Sequence, residues 1–265
     1  MSIIQAILIA IIEGLTEFLP ISSTAHMKFL NPLIGVEQNS FTDMFEVVIQ
    51  LAAILSVVVI YWKKFFDFSR LTFYIKLVIA VIPALIVGGL LKKYIDSALG
   101  NLTFIALVMI GGGVILLFVD RWFKKNEIDD EKEISNKTAF TIGCFQVLSI
   151  LFPGLSRSAA TIIGGMSQKL TRKAAAEFSF FLAVPTMFAA SVKSVYDVMK
   201  EGSVTFNSSS VSILLIGSLI SFIVALLAIK YFIGFVKEKG FKVFGIYRII
   251  LGIVVLILLQ MGYME

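Results

Sequence analysis

Hydrophobic residues dominate residues 45–62, 73–91 and 103–119 in the first half of this chain, and 175–192, 211–229 and 244–261 in the second. Each block has the length of about 20 residues that an α-helix needs to cross roughly 30 Å of hydrocarbon. Their ends carry membrane-interface residues: Trp62-Lys63-Lys64, Lys92-Lys93 and Asp120-Arg121-Trp122 close the first three. Pro83 and Gly88-Gly89 predict a kink or a close helix contact inside the second block. Two further apolar stretches, 3–12 and 138–152, are too short to span, the first stopped by Glu13 and turned at Pro20, the second broken at Pro153-Gly154. They predict re-entrant helical hairpins over about residues 3–30 and 138–168. Non-helical backbone at membrane depth is tolerated only where it is buried in protein or lines a wet cavity.

The two halves repeat one scheme. Leu19-Pro20-Ile21-Ser22-Ser23 lies against Phe152-Pro153-Gly154-Leu155-Ser156, the run from Glu46 to Ala52 against that from Glu177 to Ala183, and Ile110-Gly111 against Leu251-Gly252, always in the same order. The expected organisation is a first repeat over 1–125, a polar connector at 126–137 acting as a hinge, and a second repeat over 138–265. Three spans per repeat is an odd number, so the halves should run in opposite senses through the membrane. The predicted fold class is an all-α polytopic membrane protein with an inverted-topology repeat, each half a re-entrant hairpin plus three transmembrane helices.

Composition agrees. Apolar residues make up 58% of the 265 and the mean hydropathy is +0.95, above the roughly 45 to 50% apolar content of soluble domains. The formal charge of +5 does not argue for nucleic acid, because the cations sit in short loops between apolar runs. Counted under the repeat scheme, 15 of the 23 Lys and Arg residues fall on one side and five on the other. The basic side is expected to be cytoplasmic, which sends the mouth of the first hairpin outward. The single cysteine, Cys144, excludes an internal disulfide and a cysteine-type metal site. The N-terminus lacks a basic segment ahead of its apolar run and does not read as a cleaved signal peptide.

Chemistry concentrates in the hairpins. Residues 13–26 hold Glu13, Glu17, four hydroxyl residues and the only histidine, His26. A charge at membrane depth costs several kcal/mol, on the order of 3 or more, unless it is paired or used. Glu13 and Glu17 are four apart and share a helix face, which favours a bound divalent cation such as Mg²⁺ or Ca²⁺, one protonated partner, or a neutralising arginine, Arg157 or Arg248. Pro20 should let Ser22 or Ser23 cap a second short helix, with Thr24 following, whose free N–H groups suit an anion. Ser23 and His26, three apart, have the spacing of a nucleophile and its base. The second hairpin presents Ser156-Arg157-Ser158, with Thr161 four residues beyond Arg157. A guanidinium matches a phosphate bidentately. Glu46, Glu177 and Arg248 read as structural, the two acids as partners of hairpin N–H groups or arginines.

Taken together, Glu13-Gly14-Leu15-Thr16-Glu17-Phe18-Leu19-Pro20, Ser22-Ser23-Thr24-Ala25-His26, the run from Phe45 to Leu51, Pro153-Gly154-Leu155-Ser156-Arg157-Ser158, the run from Glu177 to Phe180 and Ile246-Tyr247-Arg248 resemble the undecaprenyl-pyrophosphate phosphatase family of the bacitracin-resistance type. The resemblance implies a bacterial plasma-membrane hydrolase that converts a long-chain isoprenyl pyrophosphate to its monophosphate and inorganic phosphate, using a divalent ion, and so recycles the lipid carrier of cell-wall synthesis. It carries the family's functional roles to Glu13, Glu17, Ser23, His26, Ser156, Arg157 and Thr161; catalysis is expected of Glu13, Glu17, Ser23, His26 and Arg157, the metal at Glu13 and Glu17, and substrate contacts at Ser156 and Thr161 together with Ser22, Thr24 and Ser158 of the same two motifs. Ala25 and Ala159 stand where the family usually has glycine, narrowing the approach of backbone to phosphate. An inverted-repeat transporter or lipid-phosphate flippase with a proton- or ion-coupled anion site is the alternative reading. The nucleophile (Ser23, His26 or water) and the choice between monomer and homodimer stay open at this point.

Overall fold

The computed structural model describes residues 1–67, 69–201, 204 and 207–264. The first hairpin consists of α1 (Ile3–Thr16) and α2 (Ser23–Leu33), followed by α3 (Ser40–Ile60). A short α4 (Trp62–Phe65) leads to α5 (Leu71–Leu90), another short helix, α6 (Lys92–Leu99), and α7 (Leu102–Trp122). The second hairpin is α8 (Asn136–Leu151) and α9 (Arg157–Ser167), and α10 (Arg172–Glu201), α11 (Ser208–Lys239) and α12 (Lys242–Gln260) complete the chain. Among the described residues, six helices are long and apolar enough to cross a membrane: α3, α5, α7, α10, α11 and α12. These are the six blocks read from the sequence. The protein is a multi-pass, all-helical membrane protein.

The helices outrun the apolar blocks where polar residues keep helical spacing. α10 is 30 residues and α11 is 32, against expected spans of 175–192 and 211–229. Lys193 and Asp197 form an i,i+4 ion pair at 2.9 Å, support for helix beyond the apolar core. α1, with 14 residues, is about 21 Å long and falls short of a bilayer's hydrocarbon.

Each hairpin's first arm packs against a long helix from the other half, α1 on α11 and α8 on α5, while α7 lies along α12 and α3 meets α10 and α11. Two glycines set those close approaches. A Cβ on Gly14 would stand 2.7 Å from the Ser221 carbonyl oxygen of α11, and one on Gly143 would collide with the Ala80 carbonyl of α5. The close contact expected from Gly88-Gly89 is not made, since a Cβ on Gly89 meets nothing within 4 Å and one on Gly88 only the tip of Ile150. The expected hinge is instead pinned: Glu127 and Ile128 N–H donate to the Lys169 carbonyl, Thr171 N–H donates to Ile128, and Lys64 and Arg70 pair with Glu131. The largest core cluster gathers Phe18, Phe178, Phe180, Phe181 and Phe232. Phe18, at the first hairpin's tip, meets Phe180 edge-on at 5.1 Å, so the tip is anchored in the core.

Candidate active site

Both hairpins turn by the same device. Ser22 (φ 71°) and Ser156 (φ 76°) occupy the left-handed region, a conformation that costs a non-glycine residue about 1–3 kcal/mol. Each then caps the second arm, its Oγ accepting from Ala25 N–H at 3.3 Å or Ala159 N–H at 3.2 Å. The backbone donors at the two alanines are therefore spent on caps.

The tips meet. Ser158 Oγ donates to the Phe18 carbonyl at 2.8 Å, and Ser156 Oγ reaches the Leu19 carbonyl at 3.4 Å. Arg248, fully buried on α12, staples both turns. Its Nη1 donates to Pro20 O at 3.0 Å and Leu155 O at 2.7 Å, its Nη2 to Gly154 O at 2.9 Å, and its Nε to Met109 O at 3.1 Å. Every partner is a carbonyl, so the neutralisation of Glu13 or Glu17 that the sequence allowed for Arg248 is not made.

Arg157 performs that pairing. Its Nη2 lies 3.1 Å from Glu17 Oε1, with both side chains largely buried, and its Nη1 donates to the Ser179 carbonyl at 3.1 Å. Its Nε, also buried, has no partner among the described residues. Glu17 Oε2 accepts from Ser23 Oγ at 2.5 Å. Glu13 is completely buried and, among the described residues, neither of its oxygens meets a donor; its carboxyl group lies against that of Glu17, with Glu46 and Arg157 the other charges near it. Two orphaned acceptors and one orphaned guanidinium N–H thus sit in the same cluster, an arrangement that packing alone makes expensive.

His26 departs from expectation. Its Nδ1 lies 2.7 Å from the Ser22 carbonyl and its Nε2 2.7 Å from the Tyr247 hydroxyl. A carbonyl only accepts, so Nδ1 carries the proton and Nε2 of the neutral ring accepts from Tyr247. The Ser23–His26 hydrogen bond suggested by spacing is absent; Ser23 is bound to Glu17. Side chains on a helix lean toward its N-terminus, and the His26 ring folds back over the preceding turn instead of reaching Ser23. Tyr247, whose ring stacks on His26 at 5.6 Å, was not singled out by chemistry in the sequence. Its one signal was its place beside Arg248.

The remaining hydroxyls fall into two groups. Ser22 and Ser156 are caps, while Ser158 and Thr161 are completely buried; Thr161 Oγ1 bonds the Arg157 carbonyl at 2.9 Å and Ser179 Oγ at 2.6 Å. Their bonds tie α9 to the first hairpin and to α10. Thr24 is half-buried. Glu46 accepts from Asn31 at 2.7 Å and pairs with Lys28 at 3.4 Å, and Glu177 lies by Tyr61 and Lys64. Neither acid takes the backbone N–H or arginine partner expected of it, because side chains from other helices reach it first: Lys28 and Asn31 of α2 at Glu46, Tyr61 and Lys64 beyond the end of α3 at Glu177.

The donor set fits a hard divalent cation. Glu13 offers two free oxygens, and each Glu17 oxygen keeps a lone pair beyond its present bond. Among the described residues no cluster of three or more His, Cys, Asp or Glu side chains forms, so an ion held here would complete its shell with water and phosphate oxygens, as Mg²⁺ commonly does.

The chain matches the family model described as Bacitracin resistance protein BacA over residues 6–254. It belongs to the BacA family. Similar BacA-like proteins, each named undecaprenyl-diphosphatase, come from Flavobacterium psychrophilum (53% identical over 258 residues, 97% of this chain and 96% of that protein) and Porphyromonas gingivalis (49% over 278 residues, 99% and 98%). One from Aquifex aeolicus is 44% identical over 252 residues, covering 94% of this chain and 96% of that protein. The BacA match runs from within α1 to within α12, taking in both hairpin turns and five of the six long helices whole.

Proposed function

We propose that this chain is a membrane phosphatase that hydrolyses undecaprenyl diphosphate to undecaprenyl phosphate and inorganic phosphate, recycling the lipid carrier, with its chemistry in the cluster of Glu13, Glu17, Ser23, His26 and Arg157. The observation that carries the mechanism is the Ser23 Oγ to Glu17 Oε2 bond at 2.5 Å, on a carboxylate whose other oxygen pairs with Arg157. It supplies a nucleophile, a proton acceptor and a phosphate clamp in one contiguous set.

In this reading Arg157 turns its free Nε toward the terminal phosphate and restrains Glu17. Ser23 Oγ forms a bond to the terminal phosphorus as the bond from phosphorus to the bridging oxygen breaks. The serine proton passes to Glu17, and undecaprenyl phosphate departs carrying the bridging oxygen. Water then cleaves the phosphoserine, giving inorganic phosphate and free Ser23. His26 Nε2 accepts from the Tyr247 hydroxyl, so the ring is suited to take the water's proton through that hydroxyl as a relay, while Glu17 returns its proton to Ser23 Oγ. A divalent cation bound by Glu13 and Glu17 would offset negative charge developing on the phosphates.

The exchange of packing partners, α1 with α11 and α8 with α5, supports reading the halves as inverted repeats, and the loop-cation asymmetry supports an outward-facing site. Purified protein in detergent, where no gradient exists, should release phosphate from long-chain isoprenyl pyrophosphate, lose activity to a chelator and regain it with Mg²⁺. A transporter without hydrolase chemistry releases none. Phosphoserine at Ser23 in a quenched single turnover would support the mechanism; phosphohistidine at His26 in an alkaline quench would name that residue instead, and absence of both, with activity retained in Ser23→Ala, would leave water as the nucleophile.

A further inference from the structure

A second polar cavity, of about 410 Å³, opens at the far end of α9 from Arg157, between the connector, the start of α10 and the end of α11. Four basic side chains line it, Lys124, Arg172, Lys173 and Lys237, against two acidic ones, Asp120 and Asp129. Both acids are already engaged. Asp120 accepts from Arg172 Nε at 2.7 Å and from Phe241 N–H at 2.7 Å, and Asp129 accepts from Thr171 Oγ1 at 2.6 Å. Lys124, Lys173 and Lys237 make no hydrogen bond or ion pair with any described residue. The walls are fixed: Asn126 Nδ2 ties the connector to the carbonyls of Met166 and Leu170 at 2.8 and 2.7 Å.

From this we infer that the cavity is a second anion site, built for a phosphate-bearing group and separate from the hydrolytic cluster by the length of α9, about 16 Å. Three ammonium groups around one concavity repel each other unless an anion lies among them. Asp120 is neutralised by Arg172, and Asp129, bonded to the neutral Thr171 hydroxyl, leaves the three ammonium groups facing a single negative charge. The position is that of a headgroup: α7 and α11 end here, and Trp122, beside the cavity, is exposed at 60%. Basic pockets between membrane helices at an interface take phospholipid headgroups. A phosphate monoanion or dianion is the shared chemistry, whether it is carried by a bilayer lipid or free in solution.

The test uses the full chain. In one arm the protein is placed in nanodiscs of phosphatidylcholine with or without phosphatidylglycerol; in the other it stays in detergent with or without millimolar inorganic phosphate. Modification of Lys124, Lys173 and Lys237 by an amine-reactive reagent is read peptide by peptide, with Lys63 and Lys93 as exposed controls outside the cavity. Protection of the three cavity lysines by phosphatidylglycerol, with the controls unchanged, identifies a lipid headgroup site. Protection by inorganic phosphate alone identifies a free-phosphate site. Protection in neither arm, or equal protection of Lys63 and Lys93, overturns the proposal. Native mass spectrometry gives a second measure: Lys173→Gln with Lys237→Gln should weaken retention of one phosphatidylglycerol roughly thirtyfold, the size expected when two lysines near a bilayer surface cease to contribute. Lys63→Gln with Lys93→Gln should leave retention unchanged, and an equal loss there would again overturn it. Because the wild-type labelling arm needs neither a variant nor activity, its failure is separate from any failure of the hydrolase mechanism.

Discussion

The two hairpins share a turn and divide the labour. In each, a serine at positive φ caps a second arm of 11 residues, so the backbone scaffold is the same. The residues after that serine differ. The first hairpin continues with Ser23 and His26, whose polar groups turn toward Glu17 and Tyr247. The second continues with Arg157, Ser158 and Thr161, of which only Arg157 retains an unpartnered polar atom. The shared turn thus carries the proposed nucleophile and base on one hairpin, and the proposed clamp with structural hydroxyls on the other.

That contrast breaks most readily at the residue holding both tips. Arg248→Leu should leave the buried carbonyls of Pro20, Gly154 and Leu155 without a donor, at about 1–3 kcal/mol each, the largest stability loss expected of any single change; thermal unfolding in detergent checks it. Next, Arg157→Ala should lower turnover by about 10³, the scale for removing a donor aimed at developing charge. It should also destabilise the fold by about 3 kcal/mol, because Glu17 is left unpaired. Adding Glu17→Ala should return much of the stability and none of the activity, whereas a double variant as unstable as the single would show that the ion pair is not what Arg157 contributes to folding. Ser23→Ala and Ser158→Ala then sharpen the division. The first should lose roughly 10²-fold in phosphate release with its melting temperature held, as for other groups that act on the reacting centre. The second should lose about 1 kcal/mol of stability and keep activity within a few-fold. Equal kinetic losses would erase the distinction between the hairpins. The smallest effect belongs to Tyr247→Phe, expected to cost about tenfold in kcat with little change in KM, the value of one neutral hydrogen bond orienting His26.

Much of this arrangement was legible in the sequence because the membrane simplifies the problem. Charge is so costly in hydrocarbon that Glu13, Glu17 and Arg157 stood out before any geometry was known, and apolar blocks of spanning length gave the six long helices. What the sequence hid depends on direction or distance. The spacing of Ser23 and His26 suggested a pair, but Ser23 is the first residue of α2 and turns back to Glu17, while His26 leans onto Ser22. Tyr247 lies 221 residues from His26, a separation that no local pattern bridges. Glu46 and Glu177 read as structural acids, yet their partners lie on other helices that only packing brings near. Gly14 and Gly143 drew no notice as spacers because their importance comes from carbonyls on other helices.

Arg248 also sets an order of assembly. The turns at Pro20 and Gly154 belong to different hairpins, yet one guanidinium on α12 ties both. Neither turn can be locked before α12 settles along α7. A chain cut ahead of α12 should therefore leave both turns loose and release no phosphate from lipid pyrophosphates.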